Sequence, residues 1–271
     1  MIEVHDLWYS YNEVIALRGI SLKIERGEIV AIMGENGAGK TTLIKHFNGL
    51  LKPMKGYVKV FGIDTRKATV AELSRRVGLV FQNPDHQLFA ETVEEEVAFA
   101  LKNFGYPENV IKKRVEWALK LLDLYDLKDQ SPYALSGGER KRVAIASILS
   151  YDPDIIVFDE PTVGQDYAQK ERLAQLIKLL WSRGKTIIVV THDVEFVAEN
   201  FPRVILMSRG KIIADDNTRR VLTNLSLIKK AKLNPPQITQ IAFELSDLGV
   251  PKDIMWIHEA RDAILRLVGK I

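Results

Sequence analysis

Short runs of β-branched and aliphatic residues alternate along most of the chain with stretches whose apolar residues recur every three or four positions. That alternation predicts an α/β fold in which helices cover a largely parallel sheet. Buried strands are expected at Glu28–Met33, Val77–Phe81, Ile155–Asp159 and Thr186–Thr191. Their near-continuous hydrophobicity suits strands covered on both faces. Two alternating segments, Ile2–Tyr9 and Ala16–Ile24, predict an antiparallel hairpin or edge sheet ahead of them. A second antiparallel pair, Val204–Ser208 and Lys211–Ala214, is expected around the turn Arg209-Gly210.

From Asn83 to about Ser150 the strand pattern stops and a helical insertion between two sheet strands is expected. Thr92-Val-Glu-Glu95 reads as a capping box opening one helix. Val110–Leu122 brings Val110, Ile111, Val115, Ala118, Leu119 and Leu122 near one helical face. After Asn224 the sheet pattern ends for good. Pro235-Pro236 breaks the chain, and helices are expected at about Gln237–Leu245 and Asp253–Val268. The last places Ile257, Ala260, Ile264 and Leu267/Val268 on one side, a stripe that calls for a packing partner.

Composition narrows the classes. A chain of 271 residues holds one large or two modest domains. With 38 Lys and Arg against 35 Asp and Glu, the balance is too even for a dedicated nucleic-acid binder. The absence of cysteine from the sequence excludes disulfides, thiolate metal clusters and thiol catalysis by this chain. The N-terminal MIEVHDLWYSYNEV lacks a basic region followed by an apolar one, so no signal peptide is expected. Apolar runs are strand-length, short of the ~18 residues that span a bilayer. A soluble, cytoplasmic protein is the expectation.

Gly34-Glu-Asn36-Gly37-Ala38-Gly39-Lys40-Thr41-Thr42 follows a buried strand and leads into a helical run, Thr41–Leu50. The spacing is that of a phosphate-binding loop, G-x-x-x-x-G-K-[ST], and differs from the dinucleotide pattern. Glycines let backbone N–H groups converge on phosphate oxygens at a helix N-terminus. Lys40 supplies a cation for the terminal phosphates, and the Thr41 hydroxyl suits Mg²⁺. Ile155-Ile-Val-Phe-Asp159-Glu160-Pro161 delivers two acids to the C-terminal end of a strand, where ligands of open α/β sheets bind. Asp159 is expected beside that Mg²⁺, with Glu160 polarising the attacking water. Leu135-Ser136-Gly137-Gly138-Glu139 opens another helix, either as a second anion cradle or with Ser136 as an ordinary N-cap.

The order of phosphate loop, LSGGE and Asp-Glu pair resembles the nucleotide-binding subunits of ABC transporters over about residues 1–222. The resemblance implies an ABC ATPase cassette, α/β in class, with an antiparallel β edge subdomain, an inserted helical subdomain at about 83–150 and a C-terminal helical extension over 223–271. It implies that Tyr11 stacks on adenine, that Gln82 is the Q-loop glutamine reaching Mg²⁺ or the attacking water, that Asp166 belongs to the D-loop, and that His192 holds the γ-phosphate. Ser136, Gly137, Gly138 and Glu139 form the signature, which two copies closing head to tail would lay over each other's ATP. Phe81-Gln82-Asn83-Pro84-Asp85-His86-Gln87-Leu88-Phe89 is similar to the corresponding region of energy-coupling factor importers for vitamins and metals such as cobalt and nickel. Gln165 departs from the small residue or leucine usual before the D-loop aspartate. ATP, Mg²⁺, a second identical or paralogous ATPase subunit and an integral membrane subunit at the cytoplasmic face are thereby expected, and nucleic acid is not.

Alternatives remain: the ATPase of another ABC transporter class, a soluble ABC ATPase or a nucleotide-gated regulator. A soluble one would normally carry two cassettes or a coiled-coil insertion, and a regulator would more often lose Glu160. A P-loop small-molecule kinase has no use for LSGGE. The membrane subunit is expected on the segment after Gln82, with Leu88 and Phe89 as apolar anchors and Val97–Phe104 lining the same groove. The opposing reading makes Leu88 and Phe89 core. The 223–271 extension is expected either to add a dimer contact or to fold back on its own core.

Overall fold

The computed structural model describes residues 1–269; Lys270 and Ile271, the end of the predicted extension, lie outside the described residues. β1 (Ile2–Tyr11) and β2 (Val14–Ile24) form the predicted hairpin, and β3 (Ile29–Met33) leads through residues 34–39 into α1 (Lys40–Lys45). β4 (Lys55–Val60), β5 (Ile63–Asp64), α2 (Val70–Ser74) and β6 (Val77–Val80) follow. The helical insertion comprises α3 (Val93–Asn103), α4 (Glu108–Leu121) and α5 (Gly137–Leu149). The chain then alternates through β7 (Ile155–Asp159), α6 (Tyr167–Ser182), β8 (Thr186–Thr191), α7 (Val194–Asn200), β9 (Arg203–Ser208) and β10 (Lys211–Asn217). It ends in α8 (Thr218–Leu222), α9 (Leu225–Lys230), α10 (Gln237–Glu244) and α11 (Ile257–Leu267).

The larger sheet has the order β10-β9-β3-β8-β7-β6, and the smaller β2-β1-β4-β5. β9, β3, β8, β7 and β6 run parallel, whereas β10 pairs antiparallel at the edge. β3, β7 and β8 are buried at every position, because both faces are covered. Strand alternation divides their side chains. Ala31, Met33, Ile156, Phe158 and Val189 pack under the helical layer. Val30, Ile32, Val157, Ile188 and Val190 pack against the antiparallel sheet and α1.

This register positions the site. Met33 lies opposite Thr191, Asp159 opposite Val190 and Val80 opposite Phe158. The phosphate loop, Asp159-Glu160, His192 and Gln82 therefore all emerge from C-terminal strand ends on one edge of the sheet.

Several local expectations need correction. The helical run after the phosphate loop does not reach Leu50: after Lys45 the amides of His46 and Phe47 bond to Leu43 and Ile44, and Gly49 adopts φ 76°. Thr92 caps α3 on one side only, accepting from the Glu95 amide. β4 and β5, which the hydrophobic pattern did not predict, complete the antiparallel sheet beside β1. The turn at Arg209-Gly210 forms as expected, with φ 48° and 77°, the paired left-handed geometry of a two-residue hairpin.

Beyond Leu222 the main core continues through Ile228 and Ala231, whereas α10 and α11 enclose a separate small core of Ala242, Val250, Ile254 and Ala260. The apolar stripe of α11 is split. Ala260 is buried, with Ala263 packed against that small core, but Ile257 is 78% and Ile264 39% exposed.

Candidate active site

The phosphate loop folds around its glycines. At Gly34, with φ 149°, a Cβ would sit 2.2 Å from the Met207 carbonyl oxygen. At Gly39, the αL residue before α1, a Cβ would sit 2.7 Å from the Ala16 carbonyl. Only glycine permits this approach of backbone to backbone. The loop is buttressed from outside, since the Gly210 amide donates to Ala38 O at 3.0 Å. The Lys40 ammonium is buried and donates to the carbonyls of Gly34 and Glu35 at 2.7 and 3.1 Å. Asn36, Gly37 and Thr42 complete the turn, with Gly37 at φ 80° and Thr42 buried.

Across from the loop stands the end of β7. Thr41 Oγ1 donates to Asp159, lying 3.1 and 2.9 Å from its two oxygens. Burial pushes the Asp159 carboxyl above the usual aspartate range, and the Thr41 hydrogen bond partly offsets it. Glu160 is 5% exposed, with Oε1 3.4 Å from the Lys40 ammonium and Oε2 2.9 Å from His192 Nδ1. Its backbone takes φ 47°, a strained left-handed conformation for a non-glycine residue. Glu160 Oε1 is buried and has no hydrogen-bond partner among the described residues.

Those features suit a nucleotide with its metal. Thr41 and Asp159 present adjacent hard oxygens, while no group of three His, Asp or Glu able to hold a metal occurs among the described residues. A divalent ion here would take its remaining ligands from phosphate and water, as Mg²⁺ commonly does.

The remaining predicted residues lie in two places. Tyr11 ends β1, is 46% exposed and meets Tyr9 edge-on at 5.1 Å. Gln82 follows β6 on the same sheet edge as Glu160 but is exposed, with no hydrogen bond to Thr41 or Asp159 among the described residues. Ser136 and Asp166 are exposed N-caps of α5 and α6. Ser136 Oγ donates to Glu139 at 2.6 Å and accepts from the Glu139 amide, a complete capping box. The Ser136 hydroxyl and amide, both donating to Glu139 Oε2, hold that carboxyl below the usual glutamate range. Of the two readings, the structure shows Ser136 as the N-cap of α5, followed by an exposed Gly137 and a half-buried Gly138.

Three residues that contribute to the architecture of the site were missed from sequence. Lys141, buried on α5, donates to Val163 O at 3.1 Å. Glu96, buried on α3, accepts from the amides of Phe89 and Ala90. Gln87 bonds to Ala144 O and Ser147 Oγ of α5 while accepting from the Phe81 amide. The available signal was a charged residue at a helical position otherwise flanked by core, which for Lys141 and Glu96 is visible only once the helix phase is known.

The glycine geometry has a direct consequence. Gly39→Ala should lower both melting temperature and affinity for a fluorescent ATP analogue by at least ~10-fold, because strain and collision coincide there. Gly37→Ala meets nothing within 4 Å and should lose less on both measures. Equal behaviour of the two variants would contradict the collision.

Comparison with known proteins gives the family of the chain. The family model described as ABC transporter matches residues 17–163. The energy-coupling factor transporter ATP-binding protein EcfA of Methanothermobacter thermautotrophicus is 40% identical over 273 residues, 99% of this chain and 88% of that protein. The structure of cbiO1 from Clostridium perfringens, described as part of the ABC transporter complex cbiONQ, superposes with a TM-score of 0.75 at 37% identity, covering 90% of this chain and 98% of its own. A bacterial ABC transporter cassette solved as a dimer gives 0.73 at 33% identity over 80% of this chain and 99% of its own. Another relative, 45% identical over 246 residues, is longer, and this chain spans 43% of it. The chain belongs to the ABC transporter family of ATP-hydrolysing cassettes.

Proposed function

We propose that this chain binds ATP with Mg²⁺ and hydrolyses it to energise a membrane importer of the energy-coupling factor type, as one of two cassettes that close head to tail. The observation that carries the reading is Glu160, a buried carboxylate bracketed by Lys40 and His192, whose Oε1 faces the Lys40 ammonium without a hydrogen bond among the described residues. In this reading the Glu160 carboxylate would accept a hydrogen bond from water attacking the γ-phosphorus, as the bond to ADP breaks. Lys40 would neutralise charge on the terminal phosphates, and His192 would exchange its contact with Glu160 for one with the γ-phosphate. Thr41 and Asp159, with Gln82 moving in, would hold Mg²⁺, which would supply positive charge to offset that of the phosphates. Tyr11 would stack on adenine, while Asn36 to Thr42 would wrap the phosphates.

The head-to-tail arrangement is supported by the signature itself. Ser136, Gly137 and Asp166 are exposed, and none bonds to the phosphate loop of the same chain among the described residues. A two-fold dimer would put each signature to use on the other copy's nucleotide. The exposed Ile257 and Ile264 of the extension support an added contact between copies.

Docking of the membrane subunit is best supported at a groove of about 250 Å³ that includes Leu50, Val70, Phe81, Phe89, Phe99 and Tyr151. Leu88 and Val97 are core, contrary to the expectation that they line it. Phe89 and Phe99 instead meet edge-on at 4.6 Å and remain 56% and 45% exposed. The groove runs along β6 toward Gln82, so an amphipathic helix lodged there would respond to the nucleotide. No helix among the described residues is long and apolar enough to cross a membrane.

Three measurements test these readings. Glu160→Gln should bind ATP normally yet turn over at least ~100-fold more slowly, and accumulate as an ATP-bound dimer in sedimentation; wild-type turnover would remove the assignment. Phe89→Ala should keep the melting temperature and basal ATPase while losing co-purification with the membrane subunit. A lower melting temperature with the complex retained would mark Phe89 as packing. Finally, Ile257→Asp with Ile264→Asp should weaken dimerisation by at least ~10-fold and leave ATP affinity per chain intact, and unchanged sedimentation would free the extension of that role.

A further inference from the structure

Lys141 lies on α5, the helix that Ser136, Gly137 and Gly138 open, and its side chain is 7% exposed. An apolar side chain would fill that position without the cost of desolvating an ammonium. Burial indeed pushes the Lys141 pKa below the usual lysine range, and the charge of Glu160 acts in the opposite sense. Its one hydrogen bond among the described residues goes to Val163 O at 3.1 Å. A buried charge held for one carbonyl makes sense where the position of that carbonyl matters.

Val163 belongs to the loop that joins Glu160 to the N-cap Asp166. The Val163 amide donates to Glu160 O at 3.4 Å and the Gln165 amide to Thr162 O at 3.1 Å, while Gly164 bends the chain at φ 71°. The loop has a second side-chain anchor, Thr162 Oγ1 lying 3.3 Å from Thr191 Oγ1 on β8. One anchor thus fixes the loop to the sheet and the other fixes it to the signature helix. Lys141 thus joins α5 to the segment that follows Glu160.

We infer that Lys141 is a positioning residue, whose ammonium ties the signature helix to the loop carrying Glu160, so that engagement of the signature with the partner's nucleotide sets the aim of this chain's own water-orienting carboxylate. The inference rests on the head-to-tail reading above. Lys141 is assigned no direct part in binding the nucleotide or the attacking water. Its effect falls on turnover and on communication between the two sites, and nucleotide affinity per chain is left alone.

Because the sequence has no cysteine, the idea can be tested by chemical rescue. Lys141→Met and Lys141→Cys are made in the full chain. The cysteine variant is also alkylated with 2-bromoethylamine in denaturant and refolded, which returns an ammonium at nearly the same reach. Wild type carried through the same steps is the control. Both unmodified variants should keep KM for ATP within about twofold, lose at least ~10-fold in kcat, and show a Hill coefficient falling from near ~2 toward ~1. Alkylation should restore kcat to within about threefold of the control. Wild-type kcat and cooperativity in the unmodified variants would overturn the inference, as would a loss shared equally with KM or left unrelieved by alkylation. ATP-driven dimerisation of Glu160→Gln, alone and with Lys141→Met, separates the two levels. No dimer in Glu160→Gln alone defeats the head-to-tail reading and this inference with it. A dimer there, alongside unaltered kinetics of Lys141→Met, defeats the inference alone.

Discussion

The ionic contact between the phosphate loop and the end of β7 is the constraint around which the molecule is arranged. Lys40, Asp159 and Glu160 are all buried, and a buried charge is tolerable only beside its counterpart or a strong hydrogen bond. Lys40 lies 3.4 Å from Glu160, and Thr41 satisfies Asp159. β3 and β7 are not neighbours, since β8 runs between them. The contact therefore requires the parallel register of all three strands and the tight glycine turn that returns Lys40 over the sheet edge. The strained backbone of Glu160 is held by the same arrangement, its amide donating to Val190 O at 2.8 Å.

The outlying modules attach where they can feel that edge. The helical insertion leaves from β6 beside Gln82, and Gln87 and Glu96 brace its first loop from within. The extension meets the edge twice. Lys232 pairs with Glu35 of the phosphate loop at 2.7 Å, and the Gln237 amide donates to Glu195 of α7, just after His192, at 2.7 Å. α11 is held by the pairing of Arg219 with Glu259 and by the Arg219 guanidinium stacked over Trp256. The extension and the helical insertion thus both contact the site edge directly. An element at such a junction need only shift by a fraction of an ångström to bias a packed interface.

Much of this was legible in the chain, and what was legible was local. The phosphate loop declares itself because its glycines, lysine and threonine are contiguous, and the physics that demands them acts over a few residues. The strands at Ile155–Asp159 and Thr186–Thr191 are legible because burial on both faces leaves an unbroken apolar run. The Arg209-Gly210 turn and the Ser136–Glu139 cap are local for the same reason. β4 escaped notice because Lys55–Val60 mixes lysines with partly buried residues at a sheet exposed on one face.

What tertiary structure alone decided were the contacts between distant segments and the phase of each helix against its neighbours. Leu88 and Phe89 are adjacent in sequence, yet one is core and the other half exposed, because α5 covers a single side of their loop. The α11 stripe divides between the small core and solvent by a rotation that periodicity cannot specify. Lys141 is an unremarkable basic residue until the packing of α5 against the Glu160 loop buries it. The sequence by itself determined the fold class, the phosphate loop and the two acids, since short-range backbone geometry and hydrophobic period require them. The meeting of Glu160 with His192 and Lys40 depended on sheet order and register, because long-range pairing is selected by the burial of the whole chain and not by any one segment.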